Sequence, residues 1–387
     1  MRTMTGLTSM AEDRLAELET LVRRDTESGR YWGAAIKIAR HGETVLDLSI
    51  GHADEARTQP LRTDSVFSVF SITKAFINVL TLRSIELGRL QLTTKMSDII
   101  PEFSGAPRDQ ATIFHFLTHT TGMPGVWEPT PGWFMEELQD GVDGVIKHIH
   151  GAVEPGTRCD YAPMANHALL AEVLRRTDPK GRDIQDILVE DLWEPLGMVD
   201  TYLGIRPHMR ERHVVPDMRD TIPITSPSRS VPGDYGLYEA ERNGVTWAGG
   251  ASTTGDLQRF MEMLRRGGTL DGARILSPQT VKLATRVWTG DLPNELYKTV
   301  ALRNGYAVPP AAIGLGFNVR GDGIFVTQLG NLTSPATFGN YGAGTGLIWV
   351  DPETDITFIG LSAGLLSQAE NIARYQQISD IVAGAAN

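Results

Sequence analysis

Apolar positions along the chain repeat in two periods, one typical of strands and one typical of helices. Near the start, the apolar runs 34–39 and 44–50 flank a short polar turn, which predicts a β-hairpin. Two further apolar runs, 346–350 and 356–361, flank a turn that contains a proline and predict a second hairpin. Strands are therefore expected from two parts of the chain that lie far apart in sequence.

Between the hairpins the helical period dominates. Helices are predicted over 11–28, 72–87, 165–176, 254–266 and from 368 to about 383, and a long surface loop over 215–236. The simplest arrangement is an α/β (α+β) fold, in which one antiparallel sheet from both ends of the sequence is flanked by helices. We expect residues 1–387 to form one catalytic unit, with a sheet subdomain from 1–75 and 240–387 and a mainly helical subdomain from 76–239.

Charge and composition narrow the classes of function. The 36 Lys and Arg residues face 47 Asp and Glu residues, a net charge of −11, which disfavours nucleic acid and anionic membranes as partners. The single cysteine, Cys159, excludes an intramolecular disulfide. No apolar run has the length of a secretory signal or a membrane span, so we expect a cytoplasmic protein.

One short motif carries candidate chemistry. Ser71-Ile72-Thr73-Lys74 is the only Ser-x-x-Lys in the chain. Positions i and i+3 share a helix face, so the Lys74 amine can reach the Ser71 hydroxyl. A serine needs a base to become a nucleophile, and a lysine serves as that base only when burial lowers its pKa. The structural alternative, without a catalytic role, is a helix-capping serine followed by a surface lysine.

The surroundings of this motif favour the catalytic interpretation. Seven blocks, in order, resemble the class C β-lactamase-like family of serine hydrolases, which includes β-lactamases, D,D-peptidases, family VIII esterases and some acyltransferases. The blocks cover nearly the whole chain and are 33–51, 64–76, 116–124, 155–161, 194–198, 248–257 and 339–346. The resemblance implies the β-lactamase/D,D-peptidase fold and an acyl-enzyme formed on Ser71, without a cofactor or metal.

The resemblance also assigns the remaining site residues. It implies that Tyr161 shuttles a proton beside Ser71 and Lys74. The third motif of the family corresponds to Asn340-Tyr341-Gly342, on an edge strand, and the N–H groups of Ser71 and Ala343 would then form the oxyanion hole. The alternative for Tyr161 is a core tyrosine.

The sequence departs from the family pattern at two positions. Pro163 replaces the asparagine of Tyr-x-Asn, and Asn340 replaces a cation that often binds a substrate carboxylate. Losing both groups weakens the case for a β-lactam or peptide substrate and favours a neutral ester. Six aromatic residues in predicted loops are candidates to line an apolar pocket, although ordinary packing explains each equally well: Trp247 and Tyr238 foremost, with Trp127, Trp133, Phe134 and Tyr235.

Other candidate motifs are weaker. Gly360-Leu361-Ser362-Ala363-Gly364 matches a nucleophile elbow, but all histidines precede Ser362, whereas that fold needs one after it. His115 and His119 have metal-ligand spacing without a third ligand, and His148 and His150 are similar, so we expect loop or core roles. A reactive thiol at Cys159 is conceivable, although a small apolar filler is the expected role.

The sequence therefore predicts a carboxylesterase that cleaves a small-molecule ester through a Ser71 acyl-enzyme. An acyltransferase with the same residues is the closest alternative, because only water access and acceptor affinity separate the two. A β-lactamase or D,D-peptidase is a further alternative, as is a non-catalytic relative that binds ligands. The natural substrate, the oligomeric state and the choice between Lys74 and Tyr161 as primary base are left open.

Overall fold

The computed structural model describes residues 10–130, 132–218 and 226–386. The central part of the loop predicted over 215–236 lies outside these ranges. The described parts of that loop contain no helix or strand before a single helical turn that begins at Gly236.

The fold contains both long and very short strands. In chain order the strands are β1 (Gly33–Arg40), β2 (Glu43–Gly51), β3 (Val66–Ser68), β4 (Tyr202–Leu203), β5 (His213–Val214), β6 (Gly250–Ser252), β7 (Thr269–Leu270), β8 (Ala273–Arg274), β9 (Asn318–Val319), β10 (Phe338–Gly342), β11 (Gly346–Asp351) and β12 (Ile356–Ala363). Both predicted hairpins, β1–β2 and β11–β12, are confirmed within two residues at each end.

The helices lie mainly between the two hairpins. They are α1 (Glu12–Glu27), α2 (Thr73–Glu86), α3 (Met96–Ile99), α4 (Ile113–Leu117), α5 (Leu138–His148), α6 (Pro163–Arg176), α7 (Ile184–Leu188), α8 (Thr254–Arg265), α9 (Pro278–Ala284), α10 (Glu295–Asn304) and α11 (Gln368–Gly384). The five predicted helices correspond to α1, α2, α6, α8 and α11. None of the helices in the described ranges is long and apolar enough to cross a lipid bilayer.

The main sheet joins strands from distant parts of the sequence. Its six strands run in the order β2-β1-β12-β11-β10-β9, and every neighbouring pair is antiparallel. Gly33 lies opposite Ala363 and Arg40 lies opposite Ile356, so β1 and β12 pair along their full length. The expected α/β fold with an antiparallel sheet flanked by helices is confirmed.

Besides the main sheet, the described residues form two smaller sheets that the sequence analysis did not predict. A four-stranded sheet runs in the order β4-β6-β3-β5, and its β3–β5 pair is parallel. Its strands have two or three residues, too few for an alternating pattern to show in the sequence. This sheet combines β3 and β6 with strands from the segment between them, and the predicted subdomain boundaries stay a prediction.

Both faces of the main sheet are buried under helices. On one face, α1 packs against α11, and Trp349 stacks on Phe358 with ring centroids 5.3 Å apart. On the other face, α8 packs against β12, and the larger core continues into α2 and α6. Phe76 of α2 meets Phe260 of α8 edge-on at 5.0 Å, which fixes α2 against the sheet layer. The site is carried by the start of α2 and the end of β10.

Candidate active site

Ser71 lies in a tight helical turn, Phe70–Ile72, that leads directly into α2. Phe70 has a φ of 46°, a left-handed conformation that costs a non-glycine residue roughly 1–3 kcal/mol. The surrounding contacts hold this conformation. Thr73 Oγ1 donates to the Phe70 carbonyl at 2.6 Å and accepts from the Gly250 N–H at 2.9 Å. The Val69 N–H donates to the Gly250 carbonyl at 2.9 Å, so β6 fixes the serine turn.

Tyr161 reaches the serine from the residue pair just before α6. Its hydroxyl donates to Ser71 Oγ at 2.9 Å. Pro163 occupies the first turn of α6, where a missing backbone N–H costs no hydrogen bond. The Tyr161 ring packs against His119 at 4.9 Å and against Trp127 at 6.3 Å. These contacts orient the phenol toward Ser71.

Lys74 lies behind this pair and is buried, with 4 % of its surface exposed. Its Nζ atom is 5.0 Å from the centre of the Tyr161 ring and has no hydrogen-bond partner among the described residues. Burial lowers the pKa of Lys74 well below its usual range and raises the pKa of Tyr161, against a lowering by the Ser71 hydrogen bond. This environment favours an uncharged amine beside an uncharged phenol.

Replacing Lys74 with methionine should stabilise the fold while removing the amine. A buried polar group without a hydrogen bond costs about 1–3 kcal/mol, and methionine fills a similar volume without that cost. The folded state binds fewer protons than the unfolded state between the lowered pKa and about 10.4, so wild-type stability rises with pH in that window. The gain in Tm of Lys74→Met should therefore be larger at pH 6 than at pH 9.

Thermal unfolding of both proteins at the two pH values measures this effect. Lys282→Met, at an exposed lysine of α9, is the control and should change Tm little at either pH. A Tm of Lys74→Met below that of the wild type at both pH values would contradict the view that Lys74 is a neutral amine without a hydrogen-bond partner.

Beneath Tyr161 lies a buried polar network that the sequence analysis did not connect with the site. Asn166 Nδ2 donates to His119 Nδ1 at 2.9 Å and to the Phe116 carbonyl at 3.1 Å. His167 Nε2 donates to Asn78 Oδ1 at 3.0 Å. Burial lowers the pKa of His119 to about 3, so its imidazole is neutral at ordinary pH.

His119 was expected to have a loop or core role, and it is buried, but it also lies against the catalytic candidates. It shares a small cavity with Ser71, Lys74 and Tyr161. His115 faces elsewhere, since its Nδ1 accepts from the Thr112 N–H at 3.0 Å. His119 belongs to the block 116–124, which resembles the family, and this was the signal in the sequence that could have linked it to the site.

The predicted third motif lies on β10, which approaches Ser71 at its end. β10 is the second strand from the edge of the main sheet, but β9 pairs with Phe338 and Gly339 only, so the motif residues 340–342 have no partner in β9. Asn340 is buried and donates to the Gly316 carbonyl at 3.1 Å. A Cβ atom on Gly342 would lie 2.5 Å from the Val69 carbonyl oxygen, so only glycine allows this approach to the serine turn.

Two cavities border Ser71 and share Trp127 and Ala343 in their walls. The first, called the aromatic pocket below, has a volume of about 50 Å³, and its walls include Trp127, Trp133, Met135, Tyr238 and Trp247. The second, the α10 pocket, has a volume of about 350 Å³, and its walls include Tyr161, Leu296, Tyr297, Arg303, Tyr341 and Gly342. The structure thus brings the predicted catalytic, oxyanion and pocket residues to one place, with Asn340 beneath it. Phe134 and Tyr235 do not line either cavity.

The two other candidate nucleophiles, Ser362 and Cys159, lie in the buried interior of the fold. Ser362 is buried in β12, where its Oγ donates to the Thr345 carbonyl at 3.1 Å and accepts from Arg374 at 3.0 Å. Cys159 is also buried, and burial raises the pKa of its thiol to about 12. Neither group has the partners of an activated nucleophile.

Known proteins resemble this chain over much of its length. The Beta-lactamase family model matches residues 18–383. LipL of Mycobacterium tuberculosis, an esterase/beta-lactamase, is 25 % identical over 366 residues, 87 % of this chain and 78 % of LipL. Esterase EstB of Burkholderia gladioli is 28 % identical over 292 residues, 67 % of this chain and 72 % of EstB.

A solved structure shows the same fold. EstCE1, a hydrolase with promiscuous acyltransferase activity, superposes with a TM-score of 0.76 over 95 % of this chain and 99 % of its own, at 20 % identity. The family match spans the serine turn, the Tyr161 segment and β10. We conclude that the chain belongs to the beta-lactamase family, whose members share the β-lactamase fold and include serine hydrolases.

Proposed function

We propose that this protein hydrolyses carboxylic esters through an acyl-enzyme on Ser71. The observation that carries the proposal is the 2.9 Å hydrogen bond from Tyr161 to Ser71 Oγ, with the buried amine of Lys74 behind it. A neutral lysine is a base, and a protonated tyrosine is an acid. The two proton transfers of acyl transfer need these two roles.

In the proposed steps, every proton removed from a nucleophile is returned to a leaving group. Lys74 takes the Ser71 hydroxyl proton as Oγ bonds to the ester carbonyl carbon, directly or through the adjacent Tyr161. The ester C–O bond then breaks, and the departing alkoxide takes the proton of Tyr161, which is restored from the Lys74 ammonium. Water repeats the sequence on the acyl-enzyme and releases the acid. Lys74 and Tyr161 end each half-reaction uncharged, as their burial favours.

The negative charge of the tetrahedral intermediate needs donors. The N–H of Ser71 belongs to the first turn of its helix, where amides lack intrahelical acceptors. Ala343 follows β10 and shares both pockets with Ser71. In the proposal these two N–H groups form the oxyanion hole, and removing one such donor typically costs about 10²–10³ in kcat.

Two departures from the family pattern support an ester over a β-lactam. Pro163 has no side-chain amide, and Asn340 supplies no cation at the third motif. EstB is named an esterase, and LipL is named an esterase/beta-lactamase. An uncharged aromatic pocket next to Ser71 suits an apolar acyl group.

We expect measurable hydrolysis of p-nitrophenyl acetate and butyrate and little or no turnover of nitrocefin. Release of p-nitrophenolate and the colour change of nitrocefin measure the two activities on one preparation. Nitrocefin turnover with kcat/KM near the ~10⁴–10⁸ M⁻¹s⁻¹ of ordinary enzymes would contradict the assignment. Loss of both activities in a folded protein would favour a non-catalytic relative.

Acyl transfer to an alcohol is the second candidate function. EstCE1, which shares the fold, combines hydrolysis with promiscuous acyltransferase activity. The apolar walls beside Ser71 offer few hydrogen bonds to water, which favours an alcohol that competes for the acyl-enzyme. The ratio of ester to acid formed from p-nitrophenyl acetate with added alcohol separates the two functions.

A further inference from the structure

We infer that the alcohol half of the substrate carries an anionic group that binds Arg303 in the α10 pocket. This inference rests on the proposed function and names the substrate class of the same site. The alcohol half would be an alcohol or phenol that bears a carboxylate or a phosphate, and the acyl half would be short and apolar.

The position of Tyr161 determines which half of the ester enters which pocket. The leaving oxygen takes its proton from the Tyr161 hydroxyl and must therefore lie next to it. Tyr161 lines the α10 pocket but not the aromatic pocket. The alcohol half consequently extends into the α10 pocket, and the acyl half occupies the smaller aromatic pocket.

The two pockets differ in charge. Within the described ranges, Arg303 is the only charged residue that lines the α10 pocket, and no charged residue lines the aromatic pocket. Arg303 has no hydrogen bond or ion pair from its side chain to any other described residue. On the same helix, Lys298 is paired with Glu295 at 3.4 Å. The α10 pocket thus offers an uncommitted guanidinium and no carboxylate to repel an anion.

The spacing along α10 sets the distance between the anion and the reacting bond. Leu296 and Arg303 are seven residues apart, so they lie on one helix face about 10 Å apart along the axis. Tyr297, next to Leu296, packs edge-on against Tyr341 of the third motif, with ring centroids 5.8 Å apart. The start of α10 therefore borders the reacting centre, and Arg303 lies at the outer end of the pocket.

The cation comes from an element different from the one the sequence pointed to. Asn340 provides no charge, and its amide is committed to the Gly316 carbonyl. A guanidinium forms two parallel hydrogen bonds with either a carboxylate or a phosphate. Arg303 is exposed, so the attraction is modest and falls as salt increases.

The test compares 4-acetoxycinnamate, whose carboxylate is far from the ester, with its uncharged methyl ester. We expect kcat/KM to favour the carboxylate about three- to tenfold at low salt. This preference should disappear in Arg303→Met and shrink in the wild type as NaCl is added. Lys298→Met removes the same charge from the same helix outside the pocket and should keep the preference. 4-Acetoxyphenyl phosphate, compared with 4-acetoxyanisole, shows whether phosphate is preferred to carboxylate.

Equal kcat/KM for the acid and its methyl ester in the wild type would overturn the inference, as would a preference that survives in Arg303→Met. A preference for p-nitrophenyl hemisuccinate over p-nitrophenyl butyrate that depends on Arg303 would also overturn it, because the anion would then lie on the acyl half. Hydrolysis of none of these esters would overturn the proposed function and the inference with it. Hydrolysis of the neutral esters without a carboxylate preference would overturn the inference alone.

Discussion

Ser71→Ala should abolish ester hydrolysis, while Ser362→Ala should leave kcat within a few-fold of the wild type. Removing a serine nucleophile typically lowers kcat by about 10⁶, with a small residue of activity from binding and the oxyanion hole. Ser362, which lies in β12, instead donates a hydrogen bond to the Thr345 carbonyl and accepts one from Arg374. Its loss removes two buried hydrogen bonds, one of them from a charged arginine, and should cost about 1–3 kcal/mol of stability rather than activity.

The measurement is the rate of p-nitrophenyl acetate hydrolysis, together with the mass of the protein after brief mixing with ester. An acyl adduct should form in the wild type and in Ser362→Ala and be absent in Ser71→Ala. An inactive but folded Ser362→Ala beside an active Ser71→Ala would show that the nucleophile has been assigned to the wrong serine.

Lys74→Ala and Tyr161→Phe should each lower kcat by about 10²–10⁴, the usual scale for losing a general acid or base. In the proposed mechanism both groups belong to one proton path, since Tyr161 donates a hydrogen bond to Ser71 Oγ and the Lys74 Nζ atom lies 5.0 Å from the centre of the Tyr161 ring. The double variant should therefore lose little more than the worse single variant. Lys74→Arg should not restore activity, because a guanidinium does not release its proton at accessible pH.

Single-turnover acylation by an aryl ester, measured in the wild type and the four variants, isolates this step from product release. Near-wild-type acylation in Tyr161→Phe would remove the tyrosine from the proton path. Additive losses in the double variant would show that the lysine and the tyrosine act independently.

The main sheet was predictable because its strands are long enough to display a pattern. Each hairpin has apolar runs of at least five residues around a turn with glycine or proline, and β1, β2, β11 and β12 lie where those runs are. The four-stranded sheet was not predictable, since β4 and β5 have two residues each and depend on tertiary neighbours. Short strands of this kind are set by packing rather than by local preference.

The same limit applies to the site. Ser71 and Lys74 are three residues apart, so local spacing predicted that they lie at one site, and both line one small cavity, although Lys74 Nζ makes no hydrogen bond to Ser71. His119 and Arg303 approach the site from other elements, and no local pattern distinguishes a histidine under a tyrosine from one in a loop. Pro163 has a local explanation that the motif comparison missed, because it begins α6 without losing a hydrogen bond.

The pairing of β1 with β12 has a consequence for synthesis on the ribosome. Gly33 and Ala363 are partners separated by 330 residues, which take roughly 15–65 s to translate at about 5–20 residues per second. During that interval the β1–β2 hairpin presents an unpaired strand edge, a typical starting point for aggregation. Lys37 lies in the middle of this edge, opposite the later position of Ile359, and its ion pair with Asp47 of β2 makes this part of the edge polar, which is expected to disfavour premature pairing with other nascent chains.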